Sequence, residues 1–176
     1  MYDAAEYGRM KLGIVSDTHD NLDLVDAAVS TFQTTGVDVV IHCGDFIAPF
    51  AVSRLNTDAF DVYGVRGNND GEESIGPTID EFGTFWGECG TETFDGTSVA
   101  VYHGTSPTLT NALADCGDYD FVFHGHSHEH GAWKHGETVR VNPGGLPLSF
   151  ADDAFHVAIV DTDRSGLDAV THHELP

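Results

Sequence analysis

Basic residues are scarce. Seven Lys and Arg stand against 29 Asp and Glu in 176 residues, a formal charge of −22 with histidine neutral. So little cationic surface argues against non-specific binding to nucleic acid or to anionic membrane surfaces, and against a general nuclease with a basic groove. Cysteine is sparse too. Three thiols (Cys43, Cys89, Cys116), an odd number without C-x-x-C spacing, fit a reducing compartment without disulfides. No apolar run approaches the roughly 18 residues of a membrane span, and no charged-then-apolar leader is visible, so a cytoplasmic protein is expected. No internal repeat or low-complexity segment interrupts the chain. Its length predicts one domain, burying about 68–70% of its unfolded surface.

The abundant acids are scattered rather than gathered in a tail. Dispersed acid over a well-patterned core predicts a halophile-like cytosolic protein, whose surface charge is tolerated because salt screens the self-repulsion. Equal stability in dilute buffer and in molar KCl would exclude that reading.

Residues 1–10 lack periodicity and read as an extension, leaving 11–176 as one domain. The apolar run Leu12, Ile14, Val15 predicts a buried parallel strand. Asn21 caps a helix that carries Leu22, Val25, Ala28, Val29 and Phe32 at helical spacing and stops at Gly36. Further strands are expected over 37–42, 59–65 and 120–123. Short helices are expected from Pro49 to about Leu55 and from Pro107 to about Ala114. Residues 71–90 read as a short helix before a crossover. Asp95-Gly96 marks a hairpin between 91–94 and 97–103. Later hairpins pair 132–134 with 138–141, and 155–161 with 167–172 across a turn at 163–166. Parallel units followed by antiparallel hairpins predict an α/β fold of two mixed sheets packed together, with helices outside.

Chemistry gathers at the strand ends. Asp17, His19, Asp45, Asn68, His103, His126 and His128 each follow a strand-like run, beside or within a glycine-containing loop. Asp17 and His19 lie two apart, so an extended loop would turn both to one side. Asp45, preceded by Gly44, is the best candidate to bridge two divalent ions about 3.5–4 Å apart. Four imidazoles, two carboxylates and one amide oxygen suit Mn²⁺, Fe²⁺, Ni²⁺, Co²⁺ or Zn²⁺ better than Ca²⁺ or Mg²⁺, and Mn²⁺ is the ion expected. Two such ions against two carboxylates would reverse the local sign, admitting an anionic substrate into an acidic protein. Each residue alone also fits a plain role, as a loop cap or a satisfied buried imidazole. Together they are hard to explain that way.

Six motifs stand in order: SDTHD, HCGD, RGNND, YHG, GHSH and NPGG. In content, order and rough spacing they resemble the calcineurin-like metallophosphoesterase superfamily, and best its small YfcE-type phosphodiesterase branch, over residues 10 to about 160. The resemblance implies a four-layer αββα sandwich with the site at one edge. It implies two divalent metals, one held by Asp17, His19, Asp45 and His128, the other by Asp45, Asn68, His103 and His126. It implies hydrolysis of a small phosphodiester through in-line attack by a hydroxide bridging the metals. Asn69 and Arg66 would steady the ester, although an ion pair with a nearby acid is at least as good a reading of Arg66. Small relatives often self-associate, so a homo-oligomer is allowed, but no apolar patch is legible for it.

One departure is informative. Many larger relatives carry a histidine at the position of Asn69, thought to protonate the leaving oxygen. An amide cannot donate a proton near pH 7, so good leaving groups should be favoured. The alternative function is a non-catalytic protein-binding scaffold of the same fold, as in the retromer subunit. Retention of all seven candidate ligands favours the enzyme. His42, Cys43, Phe85 and Trp86 read as core, and His124 as strand or support for its neighbours. His130, His135, His156, His172 and His173 read as surface or hairpin residues.

Overall fold

The structure is a computed structural model, and it describes residues 10–148 and 151–176. Most of residues 1–10, expected to be an extension, lies outside these. Met10 is bonded in both directions to Thr162, at 3.0 and 3.2 Å.

Eleven strands and four α-helices occupy the described residues: β1 (Lys11–Val15), α1 (Leu22–Thr35), β2 (Val39–His42), α2 (Pro49–Val52), β3 (Asp61–Gly64), α3 (Ile75–Ile79), β4 (Thr84–Phe85), β5 (Cys89–Phe94), β6 (Thr97–Tyr102), α4 (Pro107–Asp115), β7 (Phe121–Phe123), β8 (Gly131–His135), β9 (Thr138–Asn142), β10 (His156–Asp161) and β11 (Val170–Glu174). One sheet runs β11-β10-β1-β2-β3-β4 and the other β5-β6-β7-β9-β8. Both are mixed. Strands β1 to β4 are parallel, as are β6, β7 and β9, while the outer hairpins are antiparallel.

Side-chain alternation turns these sheets into layers. On β1, Leu12 and Ile14 face the second sheet, where they join Val99, Val101, Phe121, Phe123, Val139 and Val141 in one cluster. Val15 points the other way, into a cluster with Val25, Ala28 and Phe32 of α1. On β2, Val39 and Ile41 face the second sheet while Val40 faces the helices. Beyond the second sheet, Ala100 and Val122 pack on Ala114 of α4. Three apolar interfaces thus separate helices, sheet, sheet and helix, the four-layer order expected. The fully buried alternation on both faces of β1 explains its near-continuous apolar run.

Local chemistry sets the helix ends. Asn21 accepts from the Leu24 amide at 3.2 Å, and Gly36 closes α1 with φ +67°. Ser106 caps α4 and Pro107 opens it. Three expectations need correction. The helix from Pro49 becomes 3₁₀ over Ser53–Leu55. The 71–90 stretch adds a two-residue strand, β4, at the sheet edge. The segment from Leu167 is not yet strand: Gly166–Ala169 is a 3₁₀ turn that plugs Ala169 into the inter-sheet core, and β11 starts at Val170. No helix among the described residues is long and apolar enough to cross a membrane.

Candidate metal centre

The parallel strands of both sheets end at the same edge. Asp17, Asp45 and Asn68 follow β1, β2 and β3; His103 and His126 follow β6 and β7, and His128 is two residues further on. The loops are stitched to one another. The amides of Asp17, His19 and Asp20 donate to the carbonyls of Gly44, Asp45 and Phe46 at 3.0–3.3 Å, and Gly125 donates to His103 at 2.8 Å.

Five of the seven candidates have left-handed backbones: Asp17 (φ 54°), His19 (45°), Asp45 (60°), His126 (71°) and His128 (60°). Asp and His tolerate this region better than most residues, at a cost of order 1 kcal/mol or more each. The Asp17–His19 loop is therefore not extended, as the sequence reading had supposed. Left-handed turns locked to the β2 loop, rather than alternation, bring both side chains to one point.

All seven side chains come into one neighbourhood. Asp17 Oδ1 lies 3.4 Å from His128 Nε2 and 3.9 Å from both His19 Nε2 and His103 Nε2. Asp45 Oδ2 lies 3.4 Å from His19 Nε2 and 3.5 Å from His103 Nε2. Asn68 Oδ1 lies 3.0 Å from His103 Nε2 and 2.9 Å from His126 Nδ1. Asp17, Asp45, His103 and His128 form a buried floor, while Asn68, Asn69 and His126 form an exposed rim. Two triads are compact enough for one ion each, Asp17–His19–His128 and Asp17–Asp45–His103. Asp17 is common to both triads.

The donors are held by their far sides. His103 Nδ1 donates to the Cys43 carbonyl at 2.8 Å, and His128 Nδ1 to that of Leu146 at 2.7 Å. A carbonyl only accepts, so both rings donate from Nδ1 and turn Nε2 inward as the atom available to a cation. Each Nε2 then faces only oxygen acceptors. Among the described residues, buried Asp17 Oδ1 and His19 Nε2 have no hydrogen-bond partner at all. Lone pairs converging without a donor are unfavourable unless a proton or a cation lies between them. Divalent cations fit this set, whose imidazole and carboxylate donors are those of transition metals.

The proton affinities of these groups follow from the same crowding. Burial lowers the affinity of His103 for a proton, but Asp45 and Asp17 outweigh it and hold the ring above its ordinary value. His19 is raised chiefly by Asp17. Burial would raise the carboxyl of Asp17, yet His19, His103, Ser16 and His128 keep it below the usual range, and Asp45 is lowered similarly by His103 and Asn69.

Asn69 clamps Asp45 through both oxygens, its amide to Oδ1 at 2.8 Å and its side-chain Nδ2 to Oδ2 at 2.7 Å. Arg66 donates to the Asp70 carbonyl at 3.2 Å and pairs with Glu88 at 3.4 Å, so the ordinary ion pair weighed for it does form.

Asp70 was missed. Its carboxylate accepts from the amides of Asp45, Ile47 and Gly67 at 2.9, 2.7 and 2.7 Å, tying the β2 and β3 loops together. The acid closing RGNND was the available signal. Asn142, which opens the NPGG motif, donates to the Gly125 carbonyl and the Ser127 hydroxyl and accepts from the Gly144 amide. His42 accepts from Gly44 at 3.1 Å, meets Thr18 at 3.2 Å and stacks on Phe46. Phe85 and Trp86 pack against the core as expected.

Comparison with known proteins gives this geometry a family. Residues 10–165 match the calcineurin-like phosphoesterase superfamily domain. The chain is 32% identical over 175 residues to phosphodiesterase MJ0936 of Methanocaldococcus jannaschii, covering 88% of this chain and 95% of that protein. A structure described as a novel archaeal phosphodiesterase superposes with a TM-score of 0.84 at 28% identity, covering 94% of this chain and all of the other. The phosphoesterase YfcE of E. coli superposes at 0.66 with 20% identity, over 95% of this chain and 100% of its own, and shows the fold alone. The chain belongs to the calcineurin-like phosphoesterase superfamily.

Proposed function

We propose that this protein is a metal-dependent phosphodiesterase acting on a small phosphodiester. The observation that carries it is the convergence of imidazole nitrogens and carboxylate oxygens at the edge where the sheets end, with Asp17 Oδ1 and His19 Nε2 buried there and unpartnered. The 32% identity to a named phosphodiesterase supports the same reading.

Asp17, His19, Asp45 and His128 would hold one divalent cation, and Asp45, Asn68, His103 and His126 the other, with Mn²⁺ the first choice. Such ions supply a nucleophile at neutral pH and draw charge from the phosphoryl oxygens. The protein's part is positioning. Cys43 and Leu146 fix the tautomers of His103 and His128. Asn69 orients Asp45, and Asp70 holds the loops on either side of it. The exposed Asn68, Asn69 and His126 line the side from which the ester enters. Arg66 holds the Asp70 carbonyl and stands beside the site, where it or Asn69 would steady the ester.

Asn69 offers no proton to a departing oxygen, so aryl diesters should outrun alkyl ones; equal rates would place an acid elsewhere. The decisive assay is hydrolysis of bis-p-nitrophenyl phosphate in high salt by chelator-treated protein, with and without Mn²⁺. Turnover restored by the metal supports the enzyme. Metal binding without turnover overturns it in favour of the scaffold.

A further inference from the structure

A second cluster of metal-ligand chemistry lies just beyond the first, outside everything the proposed reaction uses. His130 precedes β8, Asp152 lies in the loop before β10, and His156 opens β10. Asp152 Oδ2 is 2.7 Å from His130 Nδ1 and 3.9 Å from His156 Nδ1, and the three donor atoms all lie within 4.8 Å of one another. The two rings stack with centroids 3.9 Å apart. The backbone amide of His130 also donates to the same carboxylate at 2.6 Å, so this oxygen is aimed by the main chain as well as by a ring.

The close approach is designed into the turn beneath it. At Gly144, φ is +96°, and a Cβ there would lie 3.3 Å from the His130 Cβ and 3.4 Å from that of His156. Only glycine lets both imidazoles descend onto the turn without strain.

We propose that His130, Asp152 and His156 form a separate mononuclear site for a divalent transition cation such as Zn²⁺. Two imidazoles and a carboxylate make a three-donor set that leaves room for water. Around an ion with bonds of about 2.0–2.1 Å, tetrahedral donors stand roughly 3.3 Å apart, and the observed 2.7 and 3.9 Å straddle that spacing. A hydrogen bond alone would account for His130 and Asp152, but not for a second ring brought to the same oxygen. Binding requires both rings to carry their proton on Nε2: His130 Nδ1 exchanges its 2.7 Å hydrogen bond to Asp152 for the ion, and His156 Nδ1 gives up its 3.1 Å bond to the Ala154 carbonyl. The ion has access, because the side chains of His130, Asp152 and His156 are 38%, 20% and 12% exposed. Bound there, it would pin the loop carrying Asp152 against the segment that follows His128.

The test is a difference in metal content. Chelator-stripped full-length protein and H130N/H156Q are dialysed against Zn²⁺ in molar KCl, and bound zinc is measured by elemental analysis. Both chains retain the first centre, so the difference reads this cluster whatever the first one takes up. The wild type should carry one more equivalent than the variant; equal content overturns the proposal. Should H130N/H156Q fail to fold, D152N keeps both rings and removes only the carboxylate. It should bind the extra equivalent at least tenfold more weakly, and unchanged affinity would overturn the site.

Discussion

Two groups of histidine and aspartate lie on either side of the turn at 144–146, and they are built in opposite ways. In the first, the donors stand where buried parallel strands end, on left-handed backbones held by neighbouring loops. The Asp17 and His103 side chains are 0% and 1% exposed. In the second, a loop and the start of a strand supply the donors, and His130 is 38% exposed. Water can satisfy an exposed imidazole or carboxylate, so a cation is optional there. Buried lone pairs facing each other have no such relief, since an unpaired buried charge costs several kcal/mol. The same residue types thus leave buried lone pairs unsatisfied in the first group and water-accessible ones in the second. Burial, not ligand identity, makes the difference.

Substitutions can break this contrast. Asp17→Asn should do most harm, because Asp17 belongs to both compact triads of the first centre and its Oδ1 faces His19, His103 and His128. Activity on bis-p-nitrophenyl phosphate should fall by more than the roughly 10–100-fold typical of losing an outer partner. Retained turnover would show that the triads are not the working site.

Gly67→Ala tests how tightly the first centre is assembled. A Cβ there collides with the backbone nitrogen and the carboxylate of Asp45. Overpacking of this kind costs about 1–3 kcal/mol, and here it also moves Asp45, so melting temperature and metal affinity should fall together. Gly144→Ala meets only side-chain contacts at 3.3 Å or more but is strained at φ +96°, so it should lower the melting temperature while leaving hydrolysis nearly intact. Equal damage from both would erase the distinction drawn between the two groups.

Asp70→Asn should be milder than Asp17→Asn in activity, while still destabilising. Three amides lose a charged acceptor, and hydrogen bonds to charged groups are worth about 1.5–3 kcal/mol each before rearrangement. A denaturant titration showing no loss would mean that the loops hold without it.

Acid should sharpen the contrast last. Burial depresses His42 to about 3 and His124 to about 4, against an ordinary value of 6.5. As pH falls below 6.5 the unfolded chain takes up protons that the folded one cannot. Stability is therefore present above that value and declines toward pH 3. Each group contributes a slope of at most about 1.4 kcal/mol per pH unit. Thermal melts between pH 7 and 4 should show the decline, and His42→Gln should flatten it.

Much of this was legible before any coordinates. The β1–α1–β2 unit was readable because burial on both faces leaves an unbroken apolar run, and because Asn21 and Gly36 announce the helix ends. The donors were readable because each follows such a run. The left-handed turns at Asp17, His19, Asp45, His126 and His128 were not, since nothing in a D-x-H or H-x-H triplet demands positive φ. Asp70 was overlooked for a related reason: its partners are backbone amides, which have no identity in a sequence. His130 and His156 looked like surface residues because their convergence depends on a glycine 12–14 residues from either.

The sequence by itself determined most of the elements, the packing of two mixed sheets with helices outside, and the chemical types available at the strand ends, because periodicity and residue type are local properties of a chain. Only the tertiary structure decided which oxygen stands between which nitrogens. Cross-loop hydrogen bonds, steric fit at Gly67 and Gly144, and the depth of burial settle that, and each arises between segments far apart in the chain.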